Sequence, residues 1–190
     1  MRRIARAAAL LLAALFLLAA CAPAQSDYYV GFTLGSVYVG GKAVSSAERA
    51  EASSEVAALL HAIEDQISVE RADSDVSRIN GAAAGERVAV GEHTYAILSL
   101  CKELYAQTGG AFSPALYNLS ELWGFTPAFE GQYTVPRAEP SAQAIEEALE
   151  LSDFDDIALH EDGTVSKAKS GTPIDLGGVA KGYMSDAAAA

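Results

Sequence analysis

Residues 7–20 are an unbroken apolar run of 14, directly preceded by Arg2, Arg3 and Arg6. A bilayer-spanning helix takes about 20 apolar residues, so this run is too short to cross one. A basic start, a short apolar middle and the small-residue exit Leu18-Ala19-Ala20-Cys21 describe a secretory signal peptide. The alternative is a buried hydrophobic helix with an incidental cysteine, and the order of charge, length, small residues and cysteine favours the signal. The fold must then be built downstream, from residues 28–190, with 21–27 as a tether.

The exit resembles the bacterial lipobox. That resemblance implies cleavage before Cys21, lipidation of Cys21, and a membrane-anchored lipoprotein of the cell envelope facing periplasm or exterior. Losing residues 1–20 removes the three arginines, so the formal charge of −12 becomes −15. Such a body is repelled by an anionic membrane surface and needs an anchor. It is equally repelled by phosphate backbones, which excludes a nucleic-acid partner. Two cysteines cannot make a disulfide framework or a four-cysteine zinc site. Cys101 lies on an apolar helical face and reads as a core residue rather than a nucleophile.

The body, 51% hydrophobic residues over the whole chain, has the size of one α+β domain. Residues 28–40, rich in aromatic and β-branched side chains and glycine, read as a strand pair. Ser45 and Glu48 have capping-box spacing ahead of Val56, Leu59, Leu60, Ile63 and Ile67, which predicts an amphipathic helix over 46–67. Residues 73–84 are polar, and Asn80-Gly81 predicts a turn. Ile97, Leu98, Cys101, Leu104 and Tyr105 predict a helix over 92–108 that Gly109-Gly110 ends. Residues 111–140, with Pro114, Pro127, Pro136 and Pro140, read as a long irregular connection. Ser141 caps a helix to about Leu151. Residues 157–159 and 164–166 flank Glu161-Asp162-Gly163 as a hairpin. Pro173-Ile174-Asp175 reads as a short strand, Gly177-Gly178 as a sharp turn, and Val179 onward as a helix. The chain stops at Ala190 inside that helix without a cap, which reads as a truncation.

Two segments carry candidate chemistry. In Pro173-Ile-Asp-Leu-Gly-Gly-Val-Ala-Lys181 a strand ends in a carboxylate, glycines admit a ligand close to the backbone, and the helix start attracts anions. Lys181 adds a point charge for a phosphate, and Asp175 an acceptor for a sugar hydroxyl, a base or a hydrated cation. Neither the Walker pattern nor G-x-G-x-x-G is present, and taken alone such a turn is more often a plain structural corner. The second segment spends Phe112, Tyr117, Trp123 and Phe125 in one connection. It reads as a hydrophobic plug over the core or as a platform for a flat ring, with the plug favoured. His61, His93 and His160 are scattered, and His61 faces solvent, so no zinc cluster is drawn. Glu48, Glu51 and Glu55 read as a solvated acidic face.

Asp175-Leu-Gly-Gly-Val-Ala-Lys-Gly-Tyr183 resembles the hallmark of the ApbE-like family, the FAD:protein FMN transferases. So do Ser74-Asp-Val-Ser-Arg-Ile-Asn80 and Gly110-Ala-Phe-Ser-Pro114 through Leu122-Trp-Gly-Phe125, while Phe32-Thr-Leu-Gly-Ser36 resembles the family's opening strand. The four segments stand in family order and cover roughly 28–190. The resemblance implies an ApbE-like mixed helix and sheet domain and Mg²⁺-dependent cleavage of FAD. FMN would pass to a Ser/Thr hydroxyl of an acceptor protein and AMP would leave. By motif, Leu34, Ala111, Phe112, Ser113, Asp175 and Lys181 would contact FAD, and Gly178 would offer its backbone carbonyl to the metal. Glu70 stands where many members have a stacking tyrosine, and Ser113 where many have aspartate.

The family's later motifs, a His…Asp-Pro…Thr-Gly segment and Asp/Thr metal ligands, are expected beyond residue 190. The catalytic residues are expected there too, and the 190-residue chain alone is expected to lack transferase activity. The rival readings are a non-catalytic lipoprotein that retains FAD or another nucleotide, and a purely structural envelope lipoprotein.

Overall fold

A computed structural model describes residues 28–32, 35–39, 46–131 and 137–190. The signal peptide, Cys21, the tether, Leu34 and the Ser45 cap lie outside the described residues. Among the described residues no helix is long and apolar enough to cross a membrane.

The expected strand pair is an antiparallel couple, β1 (Tyr28–Phe32) and β2 (Gly35–Val39), in register Tyr28↔Val39 to Phe32↔Gly35. Against β1 lies α1 (Ser46–Ile67), whose Leu60, Ile63 and Ile67 recur at helical spacing and are buried, while Glu51 and Glu55 face solvent. It also packs on α2 (Asp75–Gly81), α3 (Glu92–Gln107) and α6 (Gly177–Ala189). The core is formed where these helices meet a small sheet of β3 (Val88–Ala89), β4 (Ile157–Leu159) and β5 (Thr164–Lys167). Strand order is β3-β5-β4, antiparallel throughout, with Val165 between Val88 and Leu159. Phe154, Ile157, Val165, Ile97, Leu98 and Cys101 are all at or below 1% exposure. Removing that much apolar surface from water is the main stabilising term.

Four sequence expectations are corrected. Asn80-Gly81 is not a free turn but the end of helix α2. Ser74 caps that helix, its hydroxyl accepting from Ser77 N at 2.9 Å, and Val76 and Ile79 bury one face. Residues 111–140 contain α4 (Tyr117–Leu122) and a 3-10 turn, Pro127–Phe129. Prolines at both sides obscured a helix only six residues long. Pro173-Ile174-Asp175 joins no strand. Gly177 and Gly178 are not a turn either: helix α6 begins at Gly177, and neither glycine has positive φ. The remaining helix, α5 (Ala142–Glu150), starts where expected, with Ser141 Oγ accepting from Ala144 N at 3.2 Å.

Candidate nucleotide site at the start of α6

The site is assembled by one clamp and one cross-link. Asn80, at the end of α2, uses its side-chain amide as a strand would use its backbone. Nδ2 donates to Ile174 O at 3.0 Å, and Ile174 N donates to Asn80 Oδ1 at 2.8 Å. The next residue, Asp175, donates its N–H to Pro114 O at 2.9 Å. These bonds fix an irregular, Pro-headed segment that belongs to no sheet and join it to the 110–114 loop.

That loop is set by the end of α3. Gly109 and Gly110 adopt φ of +60° and +84°, which glycine reaches at no steric cost. Thr108 Oγ1 donates to Leu104 O at 2.7 Å and accepts from Phe112 N at 3.0 Å. Phe112 is thereby turned toward α6, and a Cβ on Gly178 would meet its ring at 3.9 Å.

Among the site residues expected from sequence, Asp175, Phe112 and Gly178 come together, with Asp175 and Gly178 exposed and Phe112 half-buried. Ala111 is exposed beside them, and Lys181 is exposed on α6 beyond Gly178. Ser113 is turned inward, accepting from Ala115 N at 3.2 Å and donating to Ser152 O at 3.4 Å. The open helix start is largely filled by the chain itself. Asp175 Oδ1 accepts from Gly177 N at 2.8 Å, and Leu176 O accepts from Val179 N and Ala180 N. Asp175 thus keeps one carboxylate oxygen for a ligand.

Tyr117 is a further member of the neighbourhood. Burial pushes its phenol up, and the carboxylates of Glu121, Asp175 and Glu70 add to this, while the Thr126 hydroxyl opposes it. Glu70 and Tyr117 therefore share one electrostatic environment with Asp175. Trp123 and Phe125 are 41% and 68% exposed, so they do not plug the core. His93 Nδ1 lies 2.9 Å from Tyr183 Oη, tying α3 to α6.

Sequence reasoning missed Asn80 as an organiser and Lys167 as a buried cation. Lys167 is 1% exposed and donates from Nζ to Asn80 O at 2.8 Å. Its signal was present, because alternation from Val165 places Lys167 on the inner face of β5. Burial pulls its pKa below the ordinary lysine value, and Glu86 works against that.

A family model described as the ApbE family matches residues 33–190. The chain belongs to the ApbE family. It is 34% identical over 149 residues to an FAD:protein FMN transferase of Treponema pallidum, covering 74% of this chain and 39% of that protein. It is 30% identical over 183 residues to an FAD:protein FMN transferase of Vibrio cholerae, covering 94% of this chain and 52% of that one. The solved apo structure of Pseudomonas stutzeri flavinyl transferase ApbE superposes with a TM-score of 0.75 at 26% identity, over 87% of this chain and 50% of that one. The α+β architecture is thus that of ApbE flavin transferases. The chain spans about half the length, or less, of the curated relatives it matches.

Proposed function

We propose that this chain carries the FAD-binding portion of a transferase that moves FMN from FAD to a Ser/Thr hydroxyl of an acceptor protein. The reaction forms one oxygen–phosphorus bond to the acceptor and breaks one in the pyrophosphate. AMP leaves with the bridging oxygen, and the hydroxyl proton is released. The observation that carries this reading is the Asp175 N to Pro114 O bond, which brings the two family motifs into one exposed site. Asp175 would accept from a hydroxyl or base, Phe112 would pack on a ring, and Lys181 would offset phosphate charge. Ala111 and Ser113 would shape the same wall, and Leu34 would contact FAD from outside the described residues.

The resemblance also implies Mg²⁺, with Gly178 offering its carbonyl. Among the described residues no group of three His, Cys, Asp or Glu could hold a metal. This bears on side-chain ligands and not on a backbone carbonyl such as that of Gly178, and no step is derived through the ion. We further propose that the chain reaches the cell envelope as a lipoprotein anchored through Cys21.

Titration of FAD against the full chain, followed by flavin fluorescence, tests the binding reading. Saturable quenching is expected, weakened about tenfold or more in Asp175→Asn or Lys181→Met, as for loss of one charge-assisted contact. Absence of saturable binding by the unmodified chain rejects it. Adding Mg²⁺ and an acceptor peptide and assaying AMP tests the expectation that this chain alone lacks transferase activity: no AMP is expected, and its release would overturn that expectation.

A further inference from the structure

We infer that Lys167 is a positioning residue for the flavin-nucleotide site, acting through Asn80 on the Ile174-Asp175 segment. This rests on the proposed function for its ligand, but the geometry stands independently. An ammonium is rarely buried unless it is paired, because leaving water is costly for a charge. Lys167 is 1% exposed, yet it forms no ion pair among the described residues. Its Nζ instead donates to Asn80 O, in the last turn of α2, at 2.8 Å. Carbonyls of the last turn lack intrahelical partners and carry the negative end of the helix dipole, so this is where a buried cation is best received.

The same residue that receives the ammonium grips the site. The main chain of Asn80 is fixed by Lys167, and its side chain is fixed twice to Ile174. Ile174 is 0% exposed, whereas Asp175 one step later is exposed with its N–H on Pro114 O. A short chain of bonds therefore runs from the last residue of β5 to the start of α6. A methionine at 167 would fill similar space but could not donate, leaving Asn80 O without its partner. The main chain of Asn80 would be free to shift, and the amide clamp with it. Lys167 touches no ligand in this scheme.

Two readouts on the full chain test this. In Lys167→Met the Ile174 and Asp175 amides should exchange with deuterium at least about tenfold faster, while Leu98 and Cys101 amides in α3 keep their protection. FAD affinity should fall about tenfold in the same variant, and Lys167→Arg should restore part of both effects. Unchanged exchange at Ile174 and Asp175, or faster exchange spread evenly into α3, overturns the inference. Should Lys167→Met fail to fold, Asn80→Ala breaks the next link and leaves the ammonium its backbone acceptor. It must produce the same local signature, and unchanged exchange there also overturns the inference. If the unmodified chain does not bind FAD, the proposed function fails, and the exchange arm still decides whether Lys167 positions Asp175.

Discussion

Ser74 shows how much one hydroxyl can carry. It is 1% exposed, accepts from Ser77 N and donates to Ser68 O at 2.6 Å, so it caps α2 and fastens the chain that leads into it. Ser74→Ala removes a cap and strands a carbonyl, and should cost about 1–3 kcal/mol. Urea unfolding should show a lower midpoint with an unchanged slope. Cys101 is the opposite kind of residue, since its environment suppresses chemistry. Burial pushes its thiol from 9.0 up to about 12, so the native chain holds it neutral at physiological pH. Peptide mapping after iodoacetamide at pH 8 should find Cys101 unmodified in the native chain and modified after denaturation. Because the native pKa is raised, the stability linked to this group is complete below pH 9 and declines as pH rises toward 12. Cys101→Ala should flatten that part of the alkaline loss in melting temperature.

At the scale of elements, the β4-β5 hairpin turns through Gly163 at φ +76°, with open space where a Cβ would stand. Asp162 Oδ1 accepts from Thr164 N and Thr164 Oγ1 to finish the corner. Gly163→Ala should therefore cost about 1–2 kcal/mol from backbone conformation alone. A crystal structure of the variant should show no repacked neighbour, and an unchanged melting temperature would contradict the assignment. This hairpin, α1, α3 and α5 were legible because periodicity and turn residues agree there. The segment over 75–81 was not, since Asn80-Gly81 has the composition of a turn while Ser74, Val76 and Ile79 make a helix. Local chemistry could not tell that Asn80 is spoken for by Ile174, 94 positions away. Residues 173–175 failed for a related reason. The backbone of Ile174 is paired by a side chain, which strand patterning does not register. At the site, the motif residues were legible one by one. Their meeting through Pro114, and the inward turn of Ser113, depend on contacts distant in sequence.

For the whole molecule the dominant quantity is charge. Lysine and arginine number 13 against 25 acids, so the anionic dinucleotide proposed as ligand would approach a body of its own sign. Repulsion between exposed charges fades once salt brings the Debye length to about 10 Å near 0.1 M. The association rate of FAD should rise severalfold between about 10 mM and 0.15 M NaCl in stopped-flow quenching, the reverse of ordinary electrostatic steering. A rate that falls with salt would show that Lys181 and its surroundings outweigh the global field. The clamp on Ile174 has one more consequence, for how copies of the chain behave toward each other. An extended segment with unused amide hydrogens is a template on which other chains can stack and aggregate. Here Pro173 has no N–H, that of Ile174 is held by Asn80 and that of Asp175 by Pro114. The segment beside the start of α6, with Ile174 buried and Asp175 exposed, thus offers no free amide hydrogen on which another chain could pair.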